Sequence, residues 1–145
     1  MTNETAWQTD NSGMLRGVRY HDGVLESLDY IAGDHIRIRI RATSGELLFV
    51  EVAGLADMFV ELWAGNIISD IFVWPVAAVP LVTLGFSDGP WNTLLRGRVK
   101  SEKDASEAAR DLARRFPDYH FVHVLCSYGG VLAAVGQSVT IKAQD

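Results

Sequence analysis

The sequence predicts an α+β domain built mainly on antiparallel β-sheet, with about seven or eight strands in a sandwich or strongly curved sheet and one main helix near 102–116. Three observations predict it. His35-Ile36-Arg37-Ile38-Arg39-Ile40-Arg41 alternates strictly, which puts isoleucines on one face of a strand and arginines on the other. Short runs of β-branched and aromatic residues are separated by glycine-bearing turns, at Gly33, Gly45, Gly129-Gly130 and Gly136-Gln137. One segment alone has sustained helical spacing: Ala105, Ala108, Ala109, Leu112, Ala113 and Phe116, stopped by Pro117.

Taken in order, residues 1–17 are polar and predict a flexible N-terminal arm, with Trp7 as its docking residue and 18–145 as a single folded domain. Strand character begins at 24–31 and turns at Ala32-Gly33-Asp34. The alternating strand follows, and Thr43-Ser44-Gly45 fits a three-residue hairpin loop. That loop sets a register pairing Ile40 with Leu48, Ile38 with Val50 and Ile36 with Val52 on one face. On the other it pairs Arg41 with Leu47, Arg39 with Phe49 and Arg37 with Glu51. Such a row of arginines suits either a phosphate or carboxylate site or a solvated outer face, and the second is the norm for antiparallel sheets.

Residues 55–64 satisfy two periods. Met58, Val60 and Leu62 alternate, but Leu55, Met58, Phe59, Leu62 and Trp63 also form a helical stripe ended by Gly65-Asn66, which favours a short helix. Residues 67–74 predict a strand with Ile67, Ile71 and Val73 on one face and Ile68, Phe72 and Trp74 on the other, apolar on both and so covered on both. Asp88-Gly89-Pro90 marks a helix start and Gly97 its end. Ser101-Glu102-Lys103-Asp104 resembles a capping box opening the main helix, whose last turn carries Arg114 and Arg115. Three closing strands are expected over 119–126, 131–135 and 138–142.

Composition narrows the function classes. The chain has 145 residues, a net charge of −5 and one cysteine, Cys126, so neither an internal disulfide nor a Cys-rich zinc site can form. The polar, acidic start lacks the form of a signal peptide, and a cytoplasmic location is expected. The most apolar stretch, 71–86, is broken by Pro75 and Pro80 and falls short of the ~20 apolar residues of a membrane span. No Gly-rich phosphate loop is present, and the basic residues of 96–115 are offset by Glu102, Asp104, Glu107 and Asp111. Nucleic acid, membranes, cofactors and metals are therefore not expected as partners. His120 and His123 point to opposite faces of a strand and cannot share one metal.

Between Ala42 and Leu95 there is no Lys, Arg or His, while Glu46, Glu51, Asp57, Glu61, Asp70 and Asp88 all fall there. An acidic, aromatic surface suited to a basic protein partner follows, with Glu46, Asp57, Glu61, Trp63, Asp70, Asp88 and Trp91 as contact residues. Glu51 is set aside because Arg37 faces it across the hairpin. The alternative is a pocket formed by His21, Asp22, His123 and Tyr128, serving a small enzyme or a ligand-binding domain.

The run from His123 to Gly130 resembles the nucleophile elbow of α/β-hydrolases. However, Leu125 stands where a small residue is needed, and no histidine follows. Cys126 shares a face with Val122 and Val124 and is expected to be a buried, inert thiol. No catalytic residue is assigned.

Tyr20-His21-Asp22-Gly23-Val24-Leu25-Glu26-Ser27-Leu28, Gly65-Asn66-Ile67-Ile68-Ser69-Asp70-Ile71 and Ser127-Tyr128-Gly129-Gly130 together resemble small uncharacterised bacterial proteins. These open a first strand with His-Asp-x-x-Leu, and some are described as immunity proteins of polymorphic-toxin systems. The resemblance implies a cytoplasmic, mainly β, non-catalytic protein.

Overall fold

The hairpin that the alternation predicts is the centre of the molecule. In the computed structural model, which describes residues 3–80, 90–95 and 101–144, β5 (His35–Arg41) pairs antiparallel with β6 (Leu47–Glu61). The register is the expected one, with Ile40 opposite Leu48, Ile38 opposite Val50 and Ile36 opposite Val52. Gly45 takes φ +88° in the loop, and the three isoleucines are fully buried. The arginines lie on the other face and are half-exposed, because their heads are held in ion pairs: Arg37 to Glu51, Arg39 and Arg41 to Glu26.

Around this hairpin the sheet runs β4 (Val24–Ala32), β5, β6, β9 (Val131–Gln144), β8 (His120–Cys126) and β7 (Ile68–Pro75), all antiparallel. It is the strongly curved alternative, since its two outer strands meet. Val24 bridges Ile67, Leu25 N–H donates to Asn66 O at 2.8 Å, and Ile68 N–H donates to Gly23 O at 2.8 Å. This contact covers the first residues of the two outer strands and so shields part of the edge that would otherwise invite pairing with another chain.

Two apolar layers result. Inside the curl lie Leu25, Ile36, Ile38, Ile40, Val50, Ile71, Val122, Val124, Leu132 and Ile141. Outside it, Phe121, Ala133 and Val135 of β8 and β9 pack with Trp91 and Leu94 of α1 (Pro90–Leu94) and with Ala105 and Leu112 of α2 (Glu102–Arg115). The main helix stands where predicted, with Ser101 Oγ accepting from Asp104 N–H at 3.2 Å. Asp88, Gly89 and Gly97, expected to bound the shorter helix, lie outside the described residues.

The structure overturns four local expectations. Residues 55–61 continue strand β6 rather than forming a helix: Met58 and Val60 pair with Ala134 and Leu132 of β9 and pack against the inner core, while Phe59 pairs with Ala133. The stripe was compatible with both periods, and a 14-residue partner strand decides between them.

For the same reason β9 runs unbroken through the expected turn at Gly136-Gln137. Gly136 sits opposite Leu55, where a Cβ would come within 2.5 Å of Val52 Cγ1. This glycine permits close strand approach within a bent strand. On β7, a bulge between Ile68 and Asp70 turns Ile68 to the inner core beside Ile71 and Val73, so Ile68 leaves the face of Phe72 and Trp74.

The N-terminal segment is laid against the sheet rather than standing off it. β1 (Asn3–Glu4) pairs with β9, β2 (Gln8–Thr9) with β3 (Leu15–Arg16), and Leu15 is buried in the inner core, where Tyr20 Oη donates to its carbonyl at 3.0 Å. Trp7 docks, but it is not the sole docking residue of the segment as expected, since Leu15 is the more deeply buried. Among the described residues no helix is long and apolar enough to cross a membrane.

A candidate binding groove on the outer face of β7 and β8

Alternation on β8 sends Val122 and Val124 inward, and therefore Phe121, His123 and Leu125 outward. On β7 it sends Phe72 and Trp74 the same way, with Phe72 directly opposite His123. Of these, Phe72, Trp74, His123 and Leu125 form the floor of a groove of about 810 Å³. One wall is the segment 10–14, which adds an edge to β7: Val73 N–H donates to Gly13 O at 2.9 Å and Met14 bridges Phe72. Pro80 and Pro90 line the other side.

The aromatic floor is held rigidly. Phe72 and Trp74 stack with ring centroids 5.1 Å apart and planes 7° from parallel, and Trp74 Nε1–H donates to Ser12 O at 2.9 Å. Gly13 has φ +87° and packs so closely on the indole that a Cβ would lie 2.0 Å from Trp74 Nε1. Glycine is needed there on both counts.

His123 is the buried polar group of this face, 2% exposed, with Nε2 3.2 Å from Thr93 Oγ1 and its ring 6.5 Å from that of Trp74. Burial holds its pKa down at about 4, so the imidazole is neutral at pH 7. Asp10, at the rim, is anionic, its pKa held near 2 by hydrogen bonds from Ser12, Arg16 and the Met14 amide that together outweigh desolvation.

The arrangement can bind but is poorly equipped for proton transfer. A threonine hydroxyl on a histidine resembles half of a nucleophile–base pair, yet a base of pKa near 4 is weak at neutral pH. No carboxylate among the described residues is hydrogen-bonded to that histidine to orient it.

Of the sequence-predicted pocket residues, only His123 is in this groove. His21 and Asp22 lie in the exposed turn before β4, 3.3 Å from each other. Asp22 is tied to Ile68 O, four residues along β7 from Phe72, or about 13 Å at strand rise. Tyr128 is 80% exposed in the β8–β9 turn. These four residues do not converge.

The predicted partner-binding residues are also dispersed. Glu46 is in the β5–β6 loop, sharing a shallow depression with Arg19, and is separated from Glu61 by the length of β6. Asp70 is half-buried at the β7 bulge, and Asp88 lies outside the described residues. Trp91 is no surface anchor: it is 2% exposed, set edge-on against Phe121 in the outer apolar layer. Asp57, Glu61 and Trp63 are exposed and sit near one another along β6 and its end. Cys126 is half-buried against the inner core, and burial pushes its thiol up to about 11, well above thiolate chemistry at pH 7. Among the described residues no group of three His, Cys, Asp or Glu side chains comes together around a possible metal position.

What sequence reasoning missed is Phe72, Trp74 and Gly13 as parts of one site. Trp74 and Ser12 are 62 positions apart, so no local pattern joins them. No protein-family model, curated protein or solved structure matches the chain.

Proposed function

We propose that the protein is a non-catalytic ligand-binding domain, holding a small apolar molecule in the groove on β7 and β8. The observation that carries this reading is the groove itself: about 810 Å³, walled by Phe72, Trp74, Met14 and Leu125, with one buried histidine on its floor. Concave apolar sites with few polar groups are the usual form of small-molecule sites. The test uses the uncharged fluorophore N-phenyl-1-naphthylamine and an Ala78→Trp variant, since Ala78 lines the groove and is exposed. Saturable one-to-one binding that Ala78→Trp abolishes is the expected result. Binding that is absent, or unchanged in the variant, removes the reading.

A second reading rests on a separate observation. Asp57 and Glu61 are exposed four residues apart on β6, neither in an ion pair among the described residues, and Trp63 just beyond is 52% exposed. That patch suits a basic protein partner. It is also the reading that the resemblance to bacterial immunity proteins favours, with a cytoplasmic location. Reversing Asp57 and Glu61 to Lys should weaken binding to the product of the neighbouring gene, and the effect should shrink as salt rises. Unchanged affinity in a folded double variant rules the patch out.

A further inference from the structure

We infer that the free edge of β4 takes up a short extended segment of another protein as an added antiparallel strand, with a lysine or arginine of that segment opposite Asp29 and an apolar residue on each side of it. This edge lines no part of the groove, so the surface is independent of the groove's being a binding site.

β4 ends the sheet on its side, and its contact with residues 65–67 covers only Val24 and Leu25. The hairpin fixes which backbone groups stay open. Ala42 N–H donates to Glu46 O at 2.9 Å, so along β5 the amides and carbonyls of Ile40, Ile38 and Ile36 also point to β6, and those of Arg39 and Arg37 point to β4. Ser27 and Asp29, opposite Arg39 and Arg37, therefore turn theirs toward β5. Leu28 and Tyr30 turn theirs outward, and these N–H and C=O groups have no backbone partner among the described residues.

Sheets commonly blunt such an edge with lysine, proline or bulges. β4 has bulges between Leu25 and Ser27 and between Tyr30 and Ala32, which limit the open stretch to the length of a short segment, but it has neither lysine nor proline. It is instead where large apolar side chains are exposed: among the described residues, Val24, Tyr30 and Ile31 are three of five, with Tyr30 at 65%. An open edge beside exposed apolar side chains is the receiving half of strand addition.

Charge selects the occupant. Asp29 shares the outer face with Arg37, and it stands where an antiparallel newcomer comes closest: between the outward-bonding residues Leu28 and Tyr30, where facing Cα atoms are ~4.5 Å apart. The neighbouring arginines are drawn away, Arg37 to Glu51 at 2.6 Å and Arg39 to Glu26 at 3.0 Å. Asp29 accepts from Ser27 Oγ at 2.8 Å and makes no ion pair among the described residues. A second copy pairing Leu28 with Tyr30 would set the two Asp29 carboxylates opposite each other, which opposes self-association. A lysine or arginine there is favoured, and the net charge of −5 attracts a basic segment from a distance. The residues flanking that cation fall on the inner face beside Leu28 and Tyr30, where apolar side chains fit.

The experiment titrates the full chain with the peptide acetyl-Ser-Thr-Val-Lys-Val-Thr-Ser-amide and its glutamate-centred counterpart, following the amide shifts of Leu28 and Tyr30. The lysine peptide is expected to bind about five-fold or more tightly than the glutamate one, and Asp29→Asn to erase the difference. N-methylation of both valine amides, which face β4, is expected to abolish binding. N-methylation of the lysine amide, which faces away, is expected to leave it intact. Equal affinity for the two peptides in wild type, or binding that survives methylation of the valines, would overturn the inference. So would the absence of any shift at Leu28 and Tyr30 with the lysine peptide. Shifts at those amides that grow with protein concentration alone would give the edge to a second copy, and would overturn it as well.

Discussion

Two buried polar side chains show opposite solutions to the same desolvation problem. Glu51 is 4% exposed yet remains charged: burial pushes its pKa up, but hydrogen bonds from Lys142 at 2.7 Å and from Arg37 outweigh it and hold the carboxyl below the usual range. Glu51→Gln leaves those two cations facing each other without a counter-charge. Both are about one-third exposed and can rehydrate, so the expected loss is ~1–3 kcal/mol in urea denaturation, below the full cost of a broken buried pair.

His123, in contrast, has no charged partner and stays neutral. The unfolded chain takes up a proton below pH 6.5, whereas the native imidazole does so only near 4. Stability from this residue is therefore complete above pH 6.5 and falls by ~3 kcal/mol as the pH drops to about 4. Urea midpoints measured between pH 7 and pH 4.5 should slope in wild type and flatten in His123→Phe. Glu51 titrates from 4.5 downward and leaves most of that window clear. Identical slopes in the two proteins would contradict a neutral buried imidazole.

Among the elements, those governed by one local pattern were legible and those settled by a distant partner were not. The β5–β6 register follows from alternation plus loop length, because a slip of one residue would send every isoleucine to the solvent face. Helix α2 follows from its cap, its alanine-rich stripe and Pro117. Residues 55–61 carry two periods at once, and only the length of β9 selects between them. The groove was legible in one residue, His123, through its place opposite the Val122 and Val124 face. Its N-terminal wall was not, since polar residues 8–13 have no apolar pattern, and the wall is set by backbone pairing of Gly13 and Met14 to β7.

That wall is testable at Gly13. Alanine there needs φ +87° and overlaps the Trp74 indole, so Gly13→Ala should release segment 10–14 without unfolding the sheet. Hydrogen exchange of the Val73 amide, which donates to Gly13 O, should quicken by about ten-fold or more while the Ile38 amide keeps its protection. Equal protection of Val73 in both proteins would show that the segment is not held by this contact.

On the scale of the whole molecule, the decisive feature is that β8 and β9 serve two cores at once. Val122 and Leu132 fill the inside of the curl, and their immediate neighbours Phe121 and Ala133 hold the helices on the outside. Neither layer can be lost without moving strands that the other depends on. Such sharing predicts one cooperative transition rather than an inner sheet that survives loss of its helices. Ile38→Ala, in the inner layer, should cost ~2–5 kcal/mol, and Leu112→Ala, on the buried face of α2, a similar amount.

Both variants should shift the same transition, seen alike by far-ultraviolet circular dichroism and by tryptophan fluorescence, to which the buried outer-layer residues Trp74 and Trp91 contribute. If Leu112→Ala moved the fluorescence transition and left the dichroism behind, the two layers would be separate folding units. The groove would then sit on a surface able to loosen independently. Coincident transitions place Phe72, Trp74 and His123 on the most strongly held part of the sheet, which is where a site that depends on fixed ring positions needs to be.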